Sequence, residues 1–341
     1  MKFQSIFLLL SVFFISLNTS AQNPSPDFKI VGYYPTNAAM KADTSTVPFN
    51  KLTHINLAFV NPDGSGNFNQ DFEALAPFIK AAHRKNVKVL YSIAGGGFHP
   101  LIKKDKRPEL IEELLSKVLE YGADGIDVDL EWGYTLGPLG MSTSLSFPSV
   151  DPSYSEPDPN YGPFIMELAR ALKSHNKLIT AALPSRLAKE VTREVLSQFD
   201  FINIMSYDNH DLRRPDRPGN HSSYVDAMND LDYYRNTLNL PKEKLILGVP
   251  FYGRGFGPGL NDPIIGYMNY NDIVSTYAGA EWVDHWHLPN GYIMYYNGIP
   301  TIKNKTELAK KEVGGIMIWE LLYDAPHGKK SLLNAIYETA H

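Results

Sequence analysis

The sequence predicts an α/β fold, a (β/α)8 TIM barrel with a small α+β-type insertion between strands 7 and 8. Three observations carry this expectation. Eight short apolar runs alternate with amphipathic, helix-like stretches, the pattern of parallel strands joined by crossover helices. One connection, Gly253 to Thr301, is too long for a simple turn and is aromatic-rich from Tyr267 to Tyr296. The residues with the most evident chemistry fall at or just after the carboxyl ends of runs. These are Ser92, Glu131, Tyr207, Asp208 and Trp319. Barrel enzymes work at that end of their strands, so these side chains converge on one mouth. A doubly wound open sheet is the rival arrangement.

The elements follow in order. Phe28 to Tyr34 and Leu52 to Val60 are strand-length runs rich in β-branched and aromatic residues. Phe72 to Arg84 then shows helical spacing of apolar residues, and Val87 to Ile93 forms the third strand. Arg107 to Tyr121 is the next amphipathic stretch, before the fourth strand, Asp124 to Glu131. Gly133 to Asn160, rich in Pro, Ser, Gly and Tyr, reads as a long loop. Tyr161 to His175 is helical, and Leu178 to Leu183 and Phe199 to Met205 are the fifth and sixth strands. Tyr224 to Leu238 is helical and leads to Leu245 to Phe251, the seventh strand. An insertion over about residues 255–300 precedes the eighth, Gly315 to Trp319.

The 341 residues carry a net charge of -5 and are 43% hydrophobic, an ordinary balance for a globular protein. No charge run points to nucleic acid or an anionic membrane. Met1 to Ala21 reads as an export signal: Lys2, an apolar stretch from Ile6 to Leu17, then the small residues Thr19, Ser20 and Ala21. The apolar stretch falls short of the ~20 residues that span a bilayer. Residues 22–341 are expected to form one domain of a secreted or periplasmic bacterial protein, monomeric and without a membrane anchor. The chain has no Cys, which excludes disulfides, thiol nucleophiles and Cys-ligated metals.

From Asp127 to Glu131 acidic residues alternate with Val128 and Leu130. A strand turns successive side chains to opposite faces, so Asp127, Asp129 and Glu131 line one face, about 6.6 Å apart in turn. Like charges this close raise one another's pKa, and at least one proton is held near neutral pH. A calcium loop or a solvated acidic edge is the plain alternative. Calcium loops need Gly and flexible backbone between ligands, and a solvated edge would not carry Ile126, Val128 and Leu130 opposite. A carboxylic acid beside a leaving oxygen, tuned by further carboxylates, is the equipment of glycoside hydrolysis. The usual scheme places two carboxylates on opposite sides of the scissile bond. In this chain all the candidates share one strand, so no separate nucleophile is evident, and a nucleophile supplied by the substrate is one alternative.

With these residues the chain resembles glycoside hydrolase family 18, the chitinase-like family. Asp124, Asp127, Asp129 and Glu131 meet its acidic motif, and Met205-Ser206-Tyr207-Asp208 its sixth-strand motif. Gly32-Tyr33-Tyr34, Gly248 to Arg254 and Gly314 to Glu320 match its first, seventh and eighth strands in the same order. The resemblance implies a retaining mechanism on N-acetylglucosamine glycans such as chitin or chito-oligosaccharides. Glu131 would protonate the glycosidic oxygen while the substrate's 2-acetamido oxygen attacks the anomeric carbon. Asp129 would orient the acetamido group, Asp127 would share a proton with Asp129, and Tyr207 would bind the acetamido oxygen. Asp208, Arg254 and Met205 would contact substrate, Trp319 would floor the subsite where the sugar sits, and Tyr33 and Ser92 would support Asp127. Asp124, out of phase with the other acids, is expected to be structural. No cofactor and no metal is implied.

The simpler readings remain open at this point. Trp319, Tyr33 and Ser92 could be ordinary strand-end residues, and Arg254 could pair with an acid in the insertion. The third strand ends Ser92-Ile93-Ala94-Gly95-Gly96-Gly97-Phe98, without the Trp common there in the family. Asn209 to His221 offers Arg213, Arg214 and Arg217 where many members carry a Trp. These departures favour soluble oligosaccharides or a decorated glycan over crystalline chitin. An endo-β-N-acetylglucosaminidase acting on glycoprotein N-glycans and a non-hydrolysing chitinase-like lectin are the alternatives. His285 and His287 beside Asp284 suggest a metal site only weakly, and a packed or solvated pair is the expectation. Gly253 to Gly257 mimics a dinucleotide loop, but Pro258 and the absence of a following helix speak against it.

Overall fold

The computed structural model describes residues 28–63, 66–131, 157–209, 218–257, 266–289, 291–326 and 328–341. The expected export signal, most of the long loop after Glu131, and Arg213, Arg214 and Arg217 lie outside these residues.

Strand β1 (Lys29–Pro35) leads through a short helix α1 (Thr36–Ala39) to β2 (His54–Ala58). Helix α2 (Phe72–His83) begins at Asp71, whose carboxylate accepts the Ala74 N–H at 2.9 Å, an N-cap that replaces a missing backbone partner. After β3 (Lys88–Ala94), α3 (Arg107–Tyr121) coincides with the expected helix and stops at Gly122, in the left-handed region at φ 78°. Next come β4 (Gly125–Asp129), α4 (Tyr161–Lys173), β5 (Leu178–Leu183), α5 (Ser185–Ala188), α6 (Arg193–Leu196) and β6 (Phe201–Ile204). A capping box between Ser223 and Asp226 starts α7 (Tyr224–Asp232), and β7 (Leu245–Pro250) follows.

These seven strands and β12 (Gly315–Trp319) close an all-parallel barrel in the order β1-β2-β3-β4-β5-β6-β7-β12. Closure excludes the open doubly wound sheet. Barrel strands are covered on both faces, which is why they read as nearly continuous apolar runs: every residue of β4, β5 after Leu178, β6 and β7 is buried. The insertion begins at Tyr252, slightly earlier than expected. It holds β8 (Tyr252–Phe256), β9 (Tyr267–Asn269), α8 (Tyr270–Thr276), β10 (His285–His287) and β11 (Ile293–Tyr295). Its strands form an antiparallel sheet in the order β10-β11-β8-β9. Helices α9 (Ile299–Glu312) and α10 (Leu332–Ala340) complete the shell.

Several boundaries differ from expectation by a residue or two, and two elements differ in another way. The sixth strand is trimmed at both ends, to Phe201–Ile204. The helix expected over Tyr224 to Leu238 changes at Tyr233 to a π-helical turn through Thr237, where Tyr234 is buried.

Candidate active site

Asp127 sits inside the barrel, fully buried, on the β4 face that points to the axis. Side chains of four other strands donate to its carboxylate: Tyr33 Oη of β1 at 2.6 Å, Ser92 Oγ of β3 at 2.8 Å, Thr180 Oγ1 of β5 at 2.6 Å, and Asn203 Nδ2 of β6 at 3.3 Å. Ser92 and Thr180 are its register partners on the flanking strands, so strand pairing itself aims them. Gly125 lets β4 lie this close to β5, since a Cβ there would collide with the Leu178 carbonyl. Burial pushes the Asp127 carboxyl above its usual range, and the hydrogen bonds pull the other way. Tyr33 and Ser92 both donate to Asp127, and Thr180 and Asn203 join them without any expectation from the sequence.

Asp129, one strand repeat nearer the mouth, is in a different situation. It is 8% exposed, and its Oδ1 has no hydrogen-bond partner among the described residues. Its carboxyl is pushed well above the ordinary range, by burial first, then by the Glu131 and Asp127 charges. The order of causes corrects the expectation from charge spacing: repulsion contributes, but removal from water dominates. A buried carboxyl with an unsatisfied oxygen is a costly group to hold, unless a ligand brings the missing donor.

Glu131 lies just past the end of β4, not within it, and is partly exposed at the mouth. Burial raises its carboxyl to about 7, a rise opposed by Arg186 and reinforced by Asp208. Arg186, on α5, places Nη2 2.6 Å from Glu131 Oε2, an ion pair the sequence did not announce. Behind Glu131, fully buried His99 spans from Asp158, at 2.8 Å, to the Glu131 carbonyl oxygen, at 3.3 Å. This contact fixes the Glu131 backbone where the long loop departs.

The β6 motif leads Tyr207 and Asp208 to the same mouth. Tyr207 is nearly buried, with its hydroxyl 3.9 Å from Met317 Sδ and its ring edge-on to Tyr252 at 6.2 Å. Gly248 of β7 makes room for that ring: a Cβ there would stand 3.1 Å from it and collide with the Ile204 carbonyl. Met205 is buried and packs into the core. Asp208 adopts φ 56°, the left-handed region, at a cost of about 1 kcal/mol or more for a residue with a side chain. Arg254 of β8 grips its carboxylate at two points, 2.9 and 2.7 Å, and His221 Nδ1 lies 3.3 Å away. These partners hold the Asp208 carboxyl far below the usual range despite burial. Arg254 therefore pairs with an acid of the β6 motif, not with one in the insertion.

Trp319, ending β12, is half-buried, stacks on Phe59 with ring centres 5.7 Å apart and leans on Tyr33 at 5.1 Å. Asp124 stays out of the mouth: it accepts the Val89 N–H and contacts His83 of α2, both at 2.7 Å. His285 and His287 are exposed on edge strand β10, their rings 5.6 Å apart. Among the described residues no cluster of three or more His, Cys, Asp or Glu is arranged to hold a metal ion.

The chain matches the sequence model of glycosyl hydrolases family 18 over residues 29–324. The GH18 chitinase ChiB from the chitin utilization locus of Flavobacterium johnsoniae superposes with a TM-score of 0.73. It is 34% identical, and the match covers 93% of this chain and 94% of that one. A chitinase from Bacteroides thetaiotaomicron gives a TM-score of 0.72 at 30% identity, covering 92% and 96%. Mouse (Mus musculus) chitotriosidase-1 is 25% identical over 334 residues, 81% of this chain and 68% of that protein. The chain spans about half the length of further curated relatives, 52% and 54% of two of them.

Proposed function

The chain belongs to glycosyl hydrolases family 18, and from that premise we propose that it is a retaining glycosidase cleaving β-1,4-linked N-acetylglucosamine glycans, chitin or chito-oligosaccharides. The observation that carries this reading is the graded row along β4 and just beyond it: Asp127 saturated with donors, Asp129 with an oxygen unpartnered among the described residues, and Glu131 raised by burial to about 7. Each state suits one task.

Glu131, protonated, donates to the glycosidic oxygen as the bond to the leaving sugar breaks. The acetamido carbonyl oxygen of the retained sugar attacks the anomeric carbon, forming a cyclic oxazolinium ion. Asp129, once the proton it shares has passed to Asp127, accepts the acetamido N–H with the oxygen that otherwise lacks a partner, and its charge then offsets the cation as it develops. Tyr207 donates to the acetamido oxygen and Trp319 floors the sugar. Asp208, held by Arg254, accepts from the same sugar. Water then attacks from the face the leaving group left, with Glu131 now the base, and the configuration is retained.

Export through the leader at residues 1–21, a single domain over 22–341 and action as a monomer belong to the same reading. Among the described residues no helix is long and apolar enough to cross a membrane. The test sets soluble chito-oligosaccharides beside a high-mannose glycoprotein, with Glu131→Gln as control. Chito-oligosaccharide cleavage falling at least ~10²-fold in the variant is expected. Cleavage of the glycoprotein alone would indicate an N-glycan endoglycosidase, and binding without turnover a lectin; either overturns the proposal.

A further inference from the structure

We infer that Arg186 is a positioning residue for the acid: it holds the Glu131 side chain in the free protein and releases it when a glycan enters the cleft. The inference rests on Glu131 being the acid, and adds to that reading a partner with two states. Arg186 stands on α5, directly beyond the carboxyl end of β5, and its side chain is 40% exposed. Its guanidinium is permanently charged and only donates hydrogen bonds. At 2.6 Å it favours the ionised carboxylate. A proton donor to a glycosidic oxygen must be the neutral acid, with its O–H turned to that oxygen. The guanidinium engages Oε2, and proton delivery is assigned to that same oxygen, so that the glycosidic oxygen displaces Arg186 when the cleft is filled.

The charged groups around Glu131 divide by side. Asp208 after β6 favours its protonated form, and the Glu131 charge in turn raises Asp129 on β4. Arg254 and His221 engage Asp208 instead, leaving Arg186, among the described residues, as the cation whose charge bears on Glu131. Removing it lets the free protein keep the acid proton to higher pH. In the complex, where Arg186 has already let go, the same change has little effect.

The test is a pair of pH profiles on an aryl β-glycoside of di-N-acetylchitobiose, for wild type, Arg186→Gln and Arg186→Lys. The basic limb of kcat/KM reports the acid in the free enzyme, and that of kcat the acid in the complex. In Arg186→Gln the kcat/KM limb should move up by about half to one pH unit, the size of a partly exposed ion pair, while the kcat limb stays. Beyond the wild-type limb the variant then exceeds wild type by about three- to tenfold in kcat/KM. Arg186→Lys should follow wild type. A uniform loss at every pH, or equal movement of both limbs, would overturn the inference. Should the wild type not hydrolyse this substrate, the reading of the site fails first. Carbon-13 NMR titration of Glu131, assigned with Glu131→Gln, still decides the matter, because an unchanged titration midpoint in Arg186→Gln refutes the pairing.

Discussion

Replacing Glu131 by Gln should make the protein more stable at alkaline pH while removing its activity. The carboxyl titrates near 7 in the folded protein against an ordinary value of 4.5. The folded state therefore binds the proton more tightly than the unfolded chain, and stability falls as pH rises from about 4.5 to 7. At about 1.4 kcal/mol per pH unit, that gap corresponds to about 3 kcal/mol of destabilisation, fully present above pH 7. Gln keeps the shape without the charge, and the Arg186 pair is already contained in that figure. A net gain of about 3 kcal/mol at pH 8 should raise the melting temperature by about 6 °C. Below pH 4 the difference should vanish or change sign, because both states then carry a neutral side chain. Thermal unfolding of both proteins from pH 4 to 8 measures this directly. A variant less stable than wild type at pH 8, or an offset that does not change with pH, would refute the reasoning.

Two further outcomes follow from the same geometry. Arg254→Ala leaves Asp208 charged and half-enclosed, so stability by urea unfolding should drop by about 2–3 kcal/mol at pH 7. Because the Asp208 carboxyl is held below its ordinary range, this penalty should shrink as the pH falls below about 4, where the carboxyl protonates in the unfolded state. Trp319→Ala removes the ring stacked on Phe59, the proposed sugar platform, and should lower kcat/KM on chito-oligosaccharides about tenfold, roughly 1.4 kcal/mol of stacking, with little loss of fold.

Much of this arrangement is legible in the chain because barrels are simple in the terms a sequence can express. Strands buried on both faces must be apolar throughout, so β5 and β7 stand out as runs. The acids of β4 stand out for the opposite reason, as charges at period 2 in such a run. Their supporting groups are harder to see. Thr180 and Asn203 are single polar residues inside apolar strands, and only barrel closure reveals that both point at Asp127. A polar side chain at the inward parity is the one signal that could have found them. Arg186, His99 and His221 lie on short helices or connections with no periodicity, 55, 32 and 13 residues from the groups they touch. No local pattern encodes such meetings. Charge spacing along β4 correctly implies raised pKa values, yet burial, which depends on the whole barrel, is the larger cause.

The most direct test follows the first product formed, by proton NMR, as fresh enzyme cleaves a soluble chito-oligosaccharide. Attack by the sugar's own amide requires two displacements at the anomeric carbon, so the new reducing end should appear as the β anomer and only later equilibrate. Initial release of the α anomer would mean that water attacks directly, leaving Asp129 and Tyr207 no acetamido nucleophile to orient.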